Sequence, residues 1–228
     1  MAICGDFYRW KPGRGPSSTV LRKGLPGSGE RAASMLRSAP MGMTGPDRTK
    51  RELLELHDEL AADMRARFDR DLPFDDLLFD RWERARQLGF AEGASIYQSS
   101  HVYGDVRVGR DTWIGPFTLL DGSGGLEIGA WCSIAAGVQV YSHDTVAWAL
   151  SGGTAAPVRT STKIGDRCYI GSLSIIARGV TVGAGSVVAA HSFVNADVAP
   201  GTAVGGAPAR LLGSVRLADD GTYSIVRD

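Results

Sequence analysis

A six-residue beat governs the middle of this chain and leaves few folds open to it. Ile96, Val102, Val108, Ile114 and Leu120 stand six apart, and after a two-residue slip through "GGLE" the series resumes at Ile128, Ile134 and Val140. After a 24-residue gap, Ile164, Ile170, Ile176, Val182, Val188, Val194 and Pro200 keep the same step. Gly or Ala often follows the aliphatic residue, as at Gly109, Gly115, Gly171 and Gly183. A small residue stands four places after it, as at Ser100, Thr112, Cys132, Cys168 and Ser192. This is not the 3.6-residue period of a helix. An inward aliphatic side chain backed by a small inward residue describes short flat strands joined by tight corners, with Gly expected to relieve unfavourable dihedrals there. Three strands make a triangular coil of about 18 residues, and stacked coils pair as parallel strands around aliphatic ladders. Cys132 and Cys168 then fall in the core as small hydrophobes.

The flanks follow other rules. Residues 1–48 are rich in Gly, Pro, Ser and Arg without apolar periodicity, the signature of a disordered prefix. Order is expected from residue 49 to 92 as a helical segment. Thr49 and Glu52 read as a capping box, and Leu53, Leu56, Leu60 and Met64 recur at helical spacing, predicting a helix from about 50 to 69. A second helix is predicted from about 75 to 88, ended by Gly89. Coils span 93–213 with a loop at 144–163. "VRLADDGTYSIV" reads as a terminal β-hairpin within 214–228 that covers the open end of the stack.

Composition excludes several function classes. The 25 Lys and Arg balance the 25 Asp and Glu, so no net field favours nucleic acid or an anionic membrane. No apolar run reaches the roughly 18 residues of a membrane span, and the amino terminus has no apolar stretch of the signal-peptide kind. A cytoplasmic protein is expected. Three cysteines without CxxC spacing argue against a disulfide framework or a zinc ribbon.

With its repeats of an aliphatic residue, Gly and four variable positions, the chain resembles the hexapeptide-repeat acyltransferases. That resemblance implies an all-β fold, the left-handed parallel β-helix. The stretch Ile164–Gly213 is similar to the branch that acetylates sugars and certain antibiotics, including a "G-x-P-A-R/K" exit matched by Gly206, Ala207, Pro208, Ala209 and Arg210. The resemblance implies a homotrimer with sites between neighbouring subunits and acetyl-CoA as co-substrate, with no metal required. It also implies a saccharide or other small-molecule acceptor, as in cell-surface polysaccharide modification. Backbone near Ser172, Ala177 and Ala190 would hold the pantetheine arm, and Arg210 would approach a CoA phosphate. Many relatives carry Thr-Lys-Asp near the last coils. Here Ala196 stands in the lysine's place, which weakens the match at the nucleotide end of CoA.

In that branch a histidine just ahead of an excursion from the coils is the general base, and His143 matches it. A hydroxyl is a poor nucleophile, and an imidazole with an ordinary pKa near 6.5 can take its proton as it attacks the thioester. Asp144, at a nominally inward position, would place the acceptor, polarise a histidine on a neighbouring subunit, or simply serve the turn. Trp148 would offer a sugar ring an apolar platform or pin the loop to the next subunit. His191 shares the corner register of His143, each third after an inward residue, and His101 and His191 also read as surface hydrogen-bonders. Three other readings stay open at this level. One is N-acetylation of an amino sugar, another a zinc enzyme of the γ-carbonic-anhydrase type using His101, His143 and His191, and the third a non-enzymatic scaffold.

Overall fold

Three aliphatic ladders run the length of a parallel β-helix. The computed structural model describes residues 44–227; Cys4 and most of the expected disordered prefix lie outside them. On the first face, β1 (Ser95–Ile96), β3 (Trp113–Ile114), β5 (Ser133–Ile134), β10 (Tyr169–Ile170), β13 (Val187–Val188) and β15 (Thr202–Gly205) pair in that order. Their parallel register stacks Ile96, Ile114, Ile134, Ile170, Val188 and Val204. The second face uses the first halves of β2 (His101–Val108) and β4 (Leu119–Ile128), then β6 (Gln139–Val140), β11 (Ile175–Ile176) and β14 (Phe193–Val194). It stacks Val102, Leu120, Val140, Ile176 and Val194. On the third face, the later halves of β2 and β4, β9 (Thr162–Ile164) and β12 (Thr181–Val182) stack Val108, Ile128, Ile164, Val182 and Val198. All but Val102 are buried, and so are the small residues four places on. Burying each such aliphatic side chain is worth about 1.5–3 kcal/mol, so the repeat itself stabilises the stack. Pro200, in step by count, is exposed. Val198 takes the inward position because the last coil is short, Val188 pairing with Val204 sixteen residues on.

Glycine relieves the corners as expected at Gly137, Gly179 and Gly185, whose φ values are 70°, 78° and 69°, and it has a second task besides. The left-handed backbone falls on the third residue after the inward one, and non-glycines such as Asp111, Phe117, Trp131, Arg167, Leu173 and His191 accept it. The glycine directly after the inward residue is there for close approach. A Cβ on Gly171 would lie 2.4 Å from the backbone nitrogen of Ala190 in the next coil.

The amino-terminal segment departs from its predicted boundaries. The chain divides into two units at Asp58 and Glu59, within helix α1 (Gly45–Phe68). In the first unit the helix starts ahead of Thr49. Thr44 is the capping residue: its hydroxyl donates to Asp47 Oδ2 (2.5 Å) and accepts from the Asp47 N–H (3.4 Å), whereas Thr49 donates to the Gly45 carbonyl. In the second unit the expected helix over 75–88 is two, α2 (Phe74–Leu78) and α3 (Arg81–Gln87), because Asp80 turns out to cap α3 through Trp82 N and Glu83 N. Gly89, with φ of 74°, follows α3, and the Phe90 N–H closes onto the Ala85 carbonyl. Ala85, Phe90 and Ala94 join the core of the first coil. Arg84 donates to the carbonyls of Tyr97 and Ser100, and Asp76 accepts from Gln98 N, so this segment satisfies strand-edge groups that the first coil leaves open.

At the other end, β16 (Arg210–Leu217) pairs antiparallel with β15, and β17 (Tyr223–Val226) with β16. The hairpin prolongs the first face instead of lying across the end of the stack. Its side chains, such as Leu217 and Tyr223, are mostly exposed, and Ala209 packs against the core there.

Candidate active site

The corner between the second and third faces is where the repeat fails, and it fails differently in successive coils. In the first coil β2 turns it at the standard spacing, Val102 to Val108. In the second, two extra residues lie between Leu120 and Ile128, and β4 runs through the corner with a register shift. In the third, the chain leaves altogether: β7 (His143–Asp144) runs out, α4 (Val146–Leu150) turns it, and β8 (Val158–Arg159) returns antiparallel. The neck of this loop is closed by the Thr160 N–H donating to the Ser142 carbonyl at 2.9 Å.

The two extra residues in the second coil tuck Asp121 beneath the neck. Its side chain is 2% exposed. Oδ1 accepts from the Ser123 N–H (3.0 Å), while Oδ2 accepts from the N–H groups of Ser142 (2.9 Å) and His143 (3.1 Å) and meets His143 Nδ1 at 2.5 Å. Gly124 makes the approach possible, since a Cβ there would lie 2.3 Å from the Ser142 carbonyl oxygen; its N–H donates to Ser142 Oγ. Burial pushes the Asp121 carboxyl up, but hydrogen bonds from Ser123, the Ser142 backbone and His143 outweigh it and hold it well below the usual carboxylate range. An ionised carboxylate only accepts, so the proton of a neutral His143 sits on Nδ1 and Nε2 presents its lone pair outward. The imidazole is about one-third exposed (33%), open to a reactant on that side.

His191 does not reproduce this, although its place in the count is the same. It adopts the regular left-handed corner, with φ of 57°, and its N–H donates to the Ser172 carbonyl. His143 lies in an extended strand of the outgoing ribbon.

The other candidate residues divide by corner. Asp144 does not point into the core. It is half-buried at the foot of the loop, where Oδ2 accepts from Arg178 Nε and Oδ1 from the Val146 N–H. The Arg178 hydrogen bond, then that of Val146, holds its carboxyl below the ordinary value. Arg178 comes from the next coil and also donates to Thr160 Oγ1, clasping the loop base. Trp148 is on α4, 50% exposed beside Val146 and Leu150. Ala177 is on the same corner as His143, one coil above Tyr141, with its N–H paired to Val194. Ser172 and Ala190 stack on the neighbouring corner, across the second face, and Arg210 is exposed on the first face beyond the last coil, its guanidinium on the Ala209 carbonyl. Within one chain, then, the corner gathers Asp121, His143, Asp144, Arg178 and Ala177, while Ser172, Ala190 and Arg210 stand apart. Asp121, Arg178 and Arg159, the cross-strand partner of His143, escape a linear reading. The only hint is the two-residue slip after Leu120, one coil ahead of the loop.

No group of three or more metal-ligating side chains gathers among the described residues, and no helix among them is long and apolar enough to cross a membrane.

Comparison with known proteins agrees with this architecture. Residues 161–196 match the family model of the bacterial transferase hexapeptide (six repeats). A 2,3,4,5-tetrahydropyridine-2,6-dicarboxylate N-acetyltransferase of Clostridium perfringens is 46% identical over 59 residues, covering 26% of this chain and 25% of that protein. A chloramphenicol acetyltransferase of Agrobacterium fabrum is 45% identical over 51 residues, 22% of this chain and 24% of the other. The chain thus spans about a quarter of the length of these curated relatives. Among solved structures, a hexapeptide-repeat acetyltransferase from Vibrio cholerae O1 biovar eltor, complexed with acetyl coenzyme A, superposes with a TM-score of 0.52 at 28% identity. It covers 70% of this chain and 87% of its own.

Proposed function

We propose that this chain, a hexapeptide-repeat protein of the bacterial transferase kind, is a CoA-dependent acyltransferase. In this reading it moves an acetyl group from acetyl-CoA to a hydroxyl of a saccharide or glycosylated small molecule, with His143 as general base. The observation that carries the reading is the buried Asp121 against His143 Nδ1 at the foot of the one long excursion from the coils. A scaffold has no use for a carboxylate held ionised beneath a partly exposed imidazole.

The chemistry balances without an acyl-enzyme. His143 Nε2 takes the acceptor's O–H proton as its oxygen forms the new C–O bond at the thioester carbonyl. The tetrahedral centre collapses with cleavage of the C–S bond, and the imidazolium returns the proton to the leaving CoA thiolate. Asp121 stays ionised throughout, steadying the imidazolium and fixing the ring. A positioned base contributes roughly 10²- to 10⁴-fold. An amine acceptor would use the same groups, and the relatives named as N-acetyltransferases favour that variant as the second reading.

Ser172 and Ala190 lie across a face from His143, and this supports a homotrimer whose sites are shared. The pantetheine arm would meet Ala177 on one subunit and the Ser172 and Ala190 corner of its neighbour, with Arg210 toward the phosphates. Asp144 and Trp148 would then border the acceptor from the loop.

Calorimetry with acetyl-CoA on the purified full chain tests the reading before any acceptor is known. Saturable binding near one per subunit, with matching thermal stabilisation, is the expected result. Absence of binding at millimolar acetyl-CoA would overturn it.

A further inference from the structure

Resting on the acyltransferase reading, we infer that the acceptor carries a carboxylate close to the group that is acylated, and that Arg159 binds it. In the ribbon at the loop neck, His143 and Arg159 are directly opposed. Opposed residues of an antiparallel pair project to the same side, with Cβ atoms about 4.5–5.5 Å apart. The guanidinium therefore shares the side of the ribbon on which an acceptor must meet Nε2.

This cation is uncompensated. Arg159 is exposed and forms no ion pair among the described residues. Residues 145–158 of the loop, "TVAWALSGGTAAPV", contain no charged side chain. Each carboxylate near this corner is already engaged: Asp144 with Arg178, Asp121 with His143 and the backbone around it, and Asp105 with Arg107 at 3.0 Å. An uncharged loop with a single free guanidinium at its neck, beside a proton acceptor, is a site that a neutral molecule would leave half used. The planar fork of Arg matches a carboxylate through two parallel hydrogen bonds. The phosphates of CoA are the other anions present, but they lie a full pantetheine arm from the thioester, and it is the thioester that must reach His143.

Acceptors that differ only in charge decide the matter. The full chain is assayed for acetyl-CoA-dependent release of CoA thiol with methyl glucuronide against its methyl ester, and with N-acetylmuramic acid against its methyl ester. The acid is expected to exceed its ester in kcat/KM by about tenfold or more, the size of one charge-assisted contact. Arg159→Gln should erase that difference through the KM for the acid, with the KM for acetyl-CoA unmoved, and Arg159→Lys should restore part of it. Equal use of acid and ester, turnover of no acid by a protein that binds acetyl-CoA, or a loss in Arg159→Gln confined to acetyl-CoA overturns the proposal. The last outcome would assign the residue to a CoA phosphate. Failure to bind acetyl-CoA at all would instead remove the underlying acyltransferase reading.

Discussion

His143 and His191 are third after an inward valine in coils of the same stack, yet one is held over a buried carboxylate and the other caps an ordinary corner. At His191 the chain stays in its repeat: left-handed backbone, N–H to the coil before, side chain in solvent. At His143 the coil beneath has gained two residues and the coil itself has opened, so the same register position becomes a strand over Asp121. A position in a repeat sets where a residue stands, while the neighbouring coil sets what it can do.

The comparison can be pressed by substitution. His143→Ala should lower turnover by roughly 10²- to 10⁴-fold, and His191→Ala should stay within a few-fold of wild type, both read as steady-state release of CoA thiol. Equal losses in the two would erase the distinction. Asp121→Asn keeps the shape but removes the obligate acceptor. Because an amide there can hold the ring in the wrong tautomer, kcat should fall by roughly 10²- to 10⁴-fold, approaching the loss in His143→Ala, with KM for acetyl-CoA unchanged.

Stability separates coil from loop in the same way. Gly171→Ala forces a Cβ against the backbone of the next coil and should cost about 1–3 kcal/mol in thermal or denaturant unfolding. Gly152→Ala, in the loop with φ of 63° and no atom within 4 Å of the added Cβ, should cost only about 1 kcal/mol. A pH-dependent effect appears in acid. Asp121 has its carboxyl depressed in the folded state, so its contribution is fully present above the ordinary carboxylate pKa of about 4 and is lost as pH falls below that. Asp121→Asn should therefore show a flatter loss of stability between about pH 4 and 2 than wild type.

The sequence made the prism legible because each coil repeats one burial pattern, and Ile134 or Val188 has a single place to go. It pointed to His143 because the loop interrupts that pattern directly after it. Asp121 was not legible, since its contact is with a residue 22 positions on and depends on how two insertions in successive coils stack. The second role of glycine was not legible for a related reason. Close approach between coils is a property of the stack, and a single hexapeptide gives no sign of it. Helix boundaries at Thr44 and Asp80 were missed because several polar residues could cap, and tertiary packing chose among them.

The ring nitrogens of His143 offer the most direct test. ¹⁵N NMR of the histidine-labelled protein at neutral to mildly alkaline pH, with His143 assigned by its loss in His143→Ala, reports which nitrogen carries the proton. The account predicts a neutral ring protonated at Nδ1, with that preference lost in Asp121→Asn. A neutral ring protonated at Nε2 in the wild type, or one indifferent to Asp121→Asn, would contradict it.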